Sequence, residues 1–248
     1  MIKETLFLLI LLSSNFIYAE VDVIIGKDDR TQITDLKKDR IYSAIGIIRD
    51  HDKESVCSGT LITQRHVLTN GHCVVLWSEY PTPLSRTQAL TFTPGKLNKD
   101  SAPYGTFQIT KIKTFAVWTQ TGNINYDVAV LELDRPTGIL AVKIGSYKNS
   151  KVLINKKISV TGYSSQKELG TMWNGDGVVK SITGNGQSLF HTADTLPGTS
   201  GSLIRIKFKD EWIGIGVHRG GQEEKSEMLN RGVLINSTVL EAIKRWIK

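Results

Sequence analysis

Cysteine is nearly absent. The 248-residue chain has two, Cys57 and Cys73, too few for a thiolate zinc site, and they form no Cys-x-x-Cys motif. His51, His66 and His191 are scattered without ligand spacing, so no metal and no cofactor is expected. After the first nineteen residues no apolar run is long enough to cross a membrane, a span that needs ~20 residues. No block of basic residues is interleaved with aromatics, so the net charge of +7 carries no nucleic-acid signature, although a basic surface does attract acidic partners. No internal repeat of fixed period is visible, and no helix-length periodic segment precedes the last dozen residues. Hydrophobic residues at 40% and charged residues at 22% exclude the disordered and fibrous classes.

What is present starts with a leader. Lys3 is followed by an apolar run from Leu6 to Leu12, and Ile17-Tyr18-Ala19 places a small residue before polar Glu20. This pattern predicts a secretory signal peptide over residues 1–19, cleaved after Ala19, and a secreted product, extracellular or periplasmic. In an oxidising compartment the even cysteine count points to one Cys57–Cys73 disulfide. Closing a loop of about 15 residues is worth roughly 3 kcal/mol in the loop-entropy model.

From residue 41 onward, short β-branched and aromatic runs alternate with Gly, Asn, Asp and Pro. Strands are predicted at Ile41–Ile48, Ser58–Thr63, His66–Thr69, Phe107–Thr114, Val128–Leu133, Lys157–Thr161, Val178–Thr183, Leu203–Phe208, Trp212–His218 and Gly232–Ile235. Such spacing indicates an all-β sandwich or barrel architecture, and the length accommodates a pair of β-barrels. Ser237 or Thr238, with Glu241, is expected to cap a closing helix. Val239, Leu240, Ile243, Trp246 and Ile247 fall on its one apolar face.

Three local segments carry chemistry. Leu68-Thr69-Asn70-Gly71-His72-Cys73 ends a strand with a histidine; Asn125-Tyr126-Asp127-Val128 sets an aspartate at the mouth of an apolar strand; Pro197-Gly198-Thr199-Ser200-Gly201-Ser202 sets a serine in a glycine-flanked turn. A serine hydroxyl is a poor nucleophile until an imidazole takes its proton, and the imidazole needs a carboxylate to orient it. His72, Asp127 and Ser200 are those three residue types. The backbone N–H groups of Gly198 and Ser200 are candidates for an oxyanion hole, since glycine permits the turn that aims them together. A disulfide at Cys73 would pin the histidine loop.

The Cys-Ser-Gly-Thr-Leu-Ile to Leu-Thr-Asn-Gly-His-Cys block, the Asp-Val-Ala-Val-Leu strand and the Gly-Thr-Ser-Gly-Ser turn resemble the chymotrypsin family of serine proteases. Val160-Thr161-Gly162-Tyr163, Thr171-Met172-Trp173 and Gly216-Val217-His218-Arg219-Gly220-Gly221 are similar to its bacterial, staphylococcal-type glutamyl endopeptidase branch. The resemblance implies two antiparallel six-stranded-type β-barrels with a C-terminal α-helix: one barrel over about 40–136, the second over about 150–236, the helix over about 237–248. It further implies a serine endopeptidase acting on proteins or peptides with acidic residues; a monomer is expected. Thr195 and His218 would line the specificity pocket, and residues 20–22 would form a short propeptide whose removal frees the amine of Val23; Gly220 and Gly221, by their small size, either border the site and let an extended substrate pair with their strand or form a hairpin turn. Thr199 replaces the aspartate with which animal digestive enzymes receive their new N-terminus, so that mode of activation is not expected. The other readings open to this sequence are a silent protease-fold binding module and a serine protease of different selectivity.

Overall fold

The computed structural model describes residues 23–75, 87–184 and 186–248. The signal-peptide and propeptide expectations lie outside them. Strands β2 (Ile45–Asp50), β3 (Ser55–Leu61), β4 (His66–Thr69), β5 (Leu90–Pro94), β6 (Phe107–Thr114) and β7 (Ala129–Leu133) form a closed barrel in the order β2-β3-β4-β7-β6-β5. An eight-stranded sheet follows, built from β1 (Thr31–Ile33), β8 (Lys143–Ile144), β9 (Lys157–Tyr163), β10 (Met172–Thr183), β11 (Ser188–His191), β12 (Leu203–Phe208), β13 (Glu211–Glu224) and β14 (Glu227–Leu234). Because β9 pairs with both β10 and β12, six of its strands close on themselves, while β1 and β8 add at β10 and β13. The expected pair of six-stranded barrels is thus the observed architecture.

The burial pattern explains why these segments are strands. In β6, Phe107 and Ile109 point into the core while Gln108 and Thr110 face solvent, the period of a half-buried strand. One apolar cluster fills the first barrel and continues through Tyr163, Met172 and Leu203 to the second; another, around Leu153, Val160, Leu189 and Ile215, fills the second barrel.

Local polar chemistry overrides the strand expected over residues 41–48. The Asp39 carboxylate accepts from Ile41 N (3.2 Å), and its carbonyl accepts from Tyr42 N (3.1 Å). These bonds wind Arg40–Ala44 into a 3-10 turn, and the strand starts only at Ile45. A short helix α1 (Ala116–Thr121) lies in the segment before Asp127. The closing helix α2 (Ser237–Trp246) is capped by Asn236, whose Oδ1 accepts from Val239 N at 3.0 Å, in place of the expected Ser237 or Thr238. It buries Val239 and Ile243 in the first cluster, and Trp246 meets Phe115 edge-to-face.

Candidate active site

The candidate site residues come from both barrels, and Ser58 joins the halves. On β3 it is fully buried; its N–H donates to the Ser200 carbonyl (2.8 Å), its hydroxyl donates to the Gly198 carbonyl (2.9 Å), and the same oxygen accepts from Tyr163 N (2.8 Å). One first-barrel residue therefore fixes both the serine turn and the end of β9.

His72 follows β4, and Asp127 precedes β7; β4 and β7 are paired in the barrel wall, which brings the two residues together. The Asp127 side chain is wholly buried, and His72 is about a quarter exposed (26%). Asp127 Oδ1 accepts from His72 N at 2.8 Å, and Oδ2 lies 2.7 Å from His72 Nδ1. A carboxylate only accepts, so His72 Nδ1 carries the proton of this bond. Asn70 secures the loop by donating from Nδ2 to the Asp127 carbonyl (2.7 Å). The Cys57–Cys73 disulfide forms as expected. Cys73 Sγ packs 3.8 Å from His72 Nε2 and 3.7 Å from the Ser200 carbonyl, so the bridge sits between imidazole and serine turn.

Ser200 Oγ donates to the Arg219 carbonyl at 2.9 Å. Its turn uses glycine at two strained positions, Gly198 (φ +97°) and Gly201 (φ +87°). The Pro197 carbonyl accepts from Ser165 N at 2.7 Å, and the Thr199 carbonyl accepts from Ser202 N at 3.0 Å. In a trans peptide the N–H points opposite its carbonyl. The amides of Gly198 and Ser200 are therefore turned away from Ser165 and Ser202, and among the described residues neither enters a backbone hydrogen bond, whereas Thr199, Gly201 and Ser202 all do.

Thr195 and His218 are both fully buried. His218 Nδ1 lies 3.3 Å from Nε2 of His191, with the two rings edge-to-face. His191, scattered in the sequence, is thus the neighbour of a pocket candidate; burial foremost, then the nearby His218, pushes it well below the usual imidazole range, so it is neutral at neutral pH. Gly220 and Gly221 lie within β13 at a register shift beside His218, opposite Arg231 and Asn230. They are not a hairpin turn; that turn is at Lys225 and Ser226, both with positive φ.

Val23 comes to the same place. Its N–H donates to Asn230 Oδ1 (3.1 Å), and its carbonyl accepts from Asn230 Nδ2 (2.7 Å) and Thr195 N (3.3 Å). Two residues further on, Ile25 N donates to Asp194 Oδ1 at 2.7 Å. The carboxylate next to Thr195 is thereby occupied with holding the N-terminal segment. Sequence reasoning assigned no role to Ser58, Asp194, Asn230, His191 or Arg219, although Ser58 follows Cys57, Asp194 precedes Thr195 and Arg219 follows His218 in the chain. Arg219 Nε donates to Asp127 Oδ2 at 2.7 Å.

Comparison with known proteins bears on the family and the fold. The family described as Trypsin matches residues 38–247. A glutamyl endopeptidase of Bacillus licheniformis is 28% identical over 229 residues, covering 90% of this chain and 68% of that protein. One from Staphylococcus aureus (strain MW2) is 26% identical over 229 residues, covering 92% and 65%. The chain thus spans about two thirds of the length of these relatives. A solved structure of a Glu endopeptidase in complex with MPD superposes with a TM-score of 0.73 at 26% identity, covering 90% of this chain and 99% of that one.

Proposed function

Because the chain belongs to the trypsin family and is a serine endopeptidase, we propose that it is a secreted enzyme cleaving after acidic residues, glutamate foremost, with His72, Asp127 and Ser200 as its catalytic triad. The observation that carries the triad is the buried Asp127 carboxylate bonded to both the backbone and the ring of His72, with Ser200 in the adjoining turn. In the reaction the Ser200 hydroxyl leaves the Arg219 carbonyl, its partner at rest, for His72 Nε2. The imidazole takes its proton as Oγ attacks the scissile carbonyl, and the resulting oxyanion is held by the amides of Gly198 and Ser200. His72 then gives that proton to the leaving amine. Water, deprotonated by the same imidazole, hydrolyses the acyl-enzyme and restores Ser200.

Selectivity for glutamate is supported by the burial of Thr195 and His218 together and by the docking of Val23 against Thr195 and Asn230. A hydroxyl and an imidazole donate to a carboxylate, and cleavage after Asp22 would add an α-ammonium. Gly220 and Gly221, lacking side chains on β13, leave room for an extended peptide to pair with the strand. The test uses purified protein on peptides differing only in Glu, Asp, Lys or Phe before the scissile bond. Glutamate should be preferred, and Ser200→Ala should abolish turnover by several orders of magnitude with folding intact. Equal cleavage after Glu and Phe would remove the acidic pocket; persistent hydrolysis by Ser200→Ala would remove the triad.

A further inference from the structure

Asp127 Oδ2 serves two donors. His72 Nδ1 and Arg219 Nε each lie 2.7 Å from that one oxygen, so the two nitrogens are within twice that distance of each other. Oδ1 is occupied by His72 N. The guanidinium is largely shielded from water, with 11% of the Arg219 side chain exposed against none of Asp127. Burial, aided by the charge of Arg231, lowers Arg219 to about 9, which leaves it cationic at neutral pH. Arg231 on β14 is the second cation of this region; it acts on Arg219 and Asp127 through space, and Glu224 acts on Arg231.

A bare buried carboxylate stabilises the imidazolium and raises a histidine's affinity for protons. A cation on the same oxygen opposes that effect, because the imidazolium then faces an ion pair of no net charge. We propose that Arg219 is a positioning residue of the triad: by sharing Asp127 Oδ2 with His72, its guanidinium keeps the imidazole uncharged to lower pH than Asp127 alone would allow, so hydrolysis persists into mildly acidic conditions. The inference rests on the triad reading above. The planar Nε–H of Arg219 also fixes the carboxylate plane, so its side chain orients the base while its carbonyl holds the resting Ser200 hydroxyl.

The acid limb of kcat/KM reports protonation of the free enzyme's base. In Arg219→Gln, which keeps a donor without the charge, that limb should move up by about one pH unit, and Arg219→Lys should restore most of the wild-type position. A limb unmoved in Arg219→Gln, or displaced equally in Arg219→Lys, would overturn the proposal. A second measurement needs no change at Arg219: NMR titration of His72 in Ser200→Ala protein should place its midpoint at or below the unperturbed value of about 6.5. A midpoint well above that would refute the inference even if Arg219→Gln failed to fold. If instead Ser200→Ala retained hydrolysis, the triad would be at fault and not Arg219.

Discussion

Gly198→Ala tests the serine turn at the point where the backbone has least freedom. At φ +97° a Cβ would sit 2.8 Å from Ser165 N and 2.8 Å from the Tyr163 carbonyl oxygen, with Val56 Cγ2 at 3.2 Å. The two closest neighbours are backbone atoms, and Ser165 N is already bonded to the Pro197 carbonyl at 2.7 Å. Neither can retreat as a flexible side chain would. The backbone strain is about 1–3 kcal/mol, and the turn relieves it by rotating the Pro197–Gly198 peptide, which carries the Gly198 amide out of line. Loss of one oxyanion donor lowers kcat by about 10²–10³. KM should change little, because the missing contact belongs to the transition state. Steady-state kinetics on a glutamyl peptide, with thermal unfolding alongside, should show both the fall in kcat and a Tm lower by a few degrees, at about 2–4 °C per kcal/mol for a domain of this size. A kcat within about fivefold of wild type would refute the assignment of this amide, since removing such a donor costs far more.

Replacing both Cys57 and Cys73 with serine should lower stability by about 3 kcal/mol through loss of loop closure, read as a shift in the urea midpoint; an unchanged midpoint would show that the bridge contributes nothing to the fold. His191 makes a pH prediction. Its folded-state affinity for protons is depressed, chiefly by burial, so above about pH 6.5 neither state binds a proton and its contribution is fully present. As pH falls below that, the unfolded chain takes up a proton that the folded chain refuses, and stability drops by about 1.4 kcal/mol per unit toward the lower folded value. Urea midpoints at pH 7.5 and 5 should therefore differ more for wild type than for His191→Gln; identical differences would reject the buried neutral imidazole.

Much of the fold was legible wherever alternation is strong. β6 and β12 occupy the ranges their patterns indicate, Phe107–Thr114 and Leu203–Phe208. The misreading at residues 41–48 has a local cause, the Asp39 side chain, whose bond to Ile41 N competes with strand pairing. β11, only Ser188–His191, is too short for a periodic signal. At the site, the local motifs around His72, Asp127 and Ser200 are conspicuous because each needs special chain geometry nearby. Ser58, Asn230 and Arg219 act instead across 140, 207 and 92 residues of chain, on Gly198, Val23 and Asp127. No local pattern marks a partner that distant; only the closed barrels reveal it.

The two barrels are braced by one strand and one helix from opposite ends of the described chain. β1 precedes the first barrel yet pairs with β10 of the second, through Ile33 and Met172, while α2 follows the second barrel and packs Val239, Ile243 and Trp246 on the core and Phe115 of the first. During synthesis the first barrel therefore emerges before the helix that covers it, and β1 must wait for a strand made some 140 residues later. Neither half has its full set of contacts until both exist. Contacts of such long range slow folding and leave apolar surface open in the interval, and they make the assembly of the candidate site, which needs residues from both barrels, one of the last events rather than one of the first.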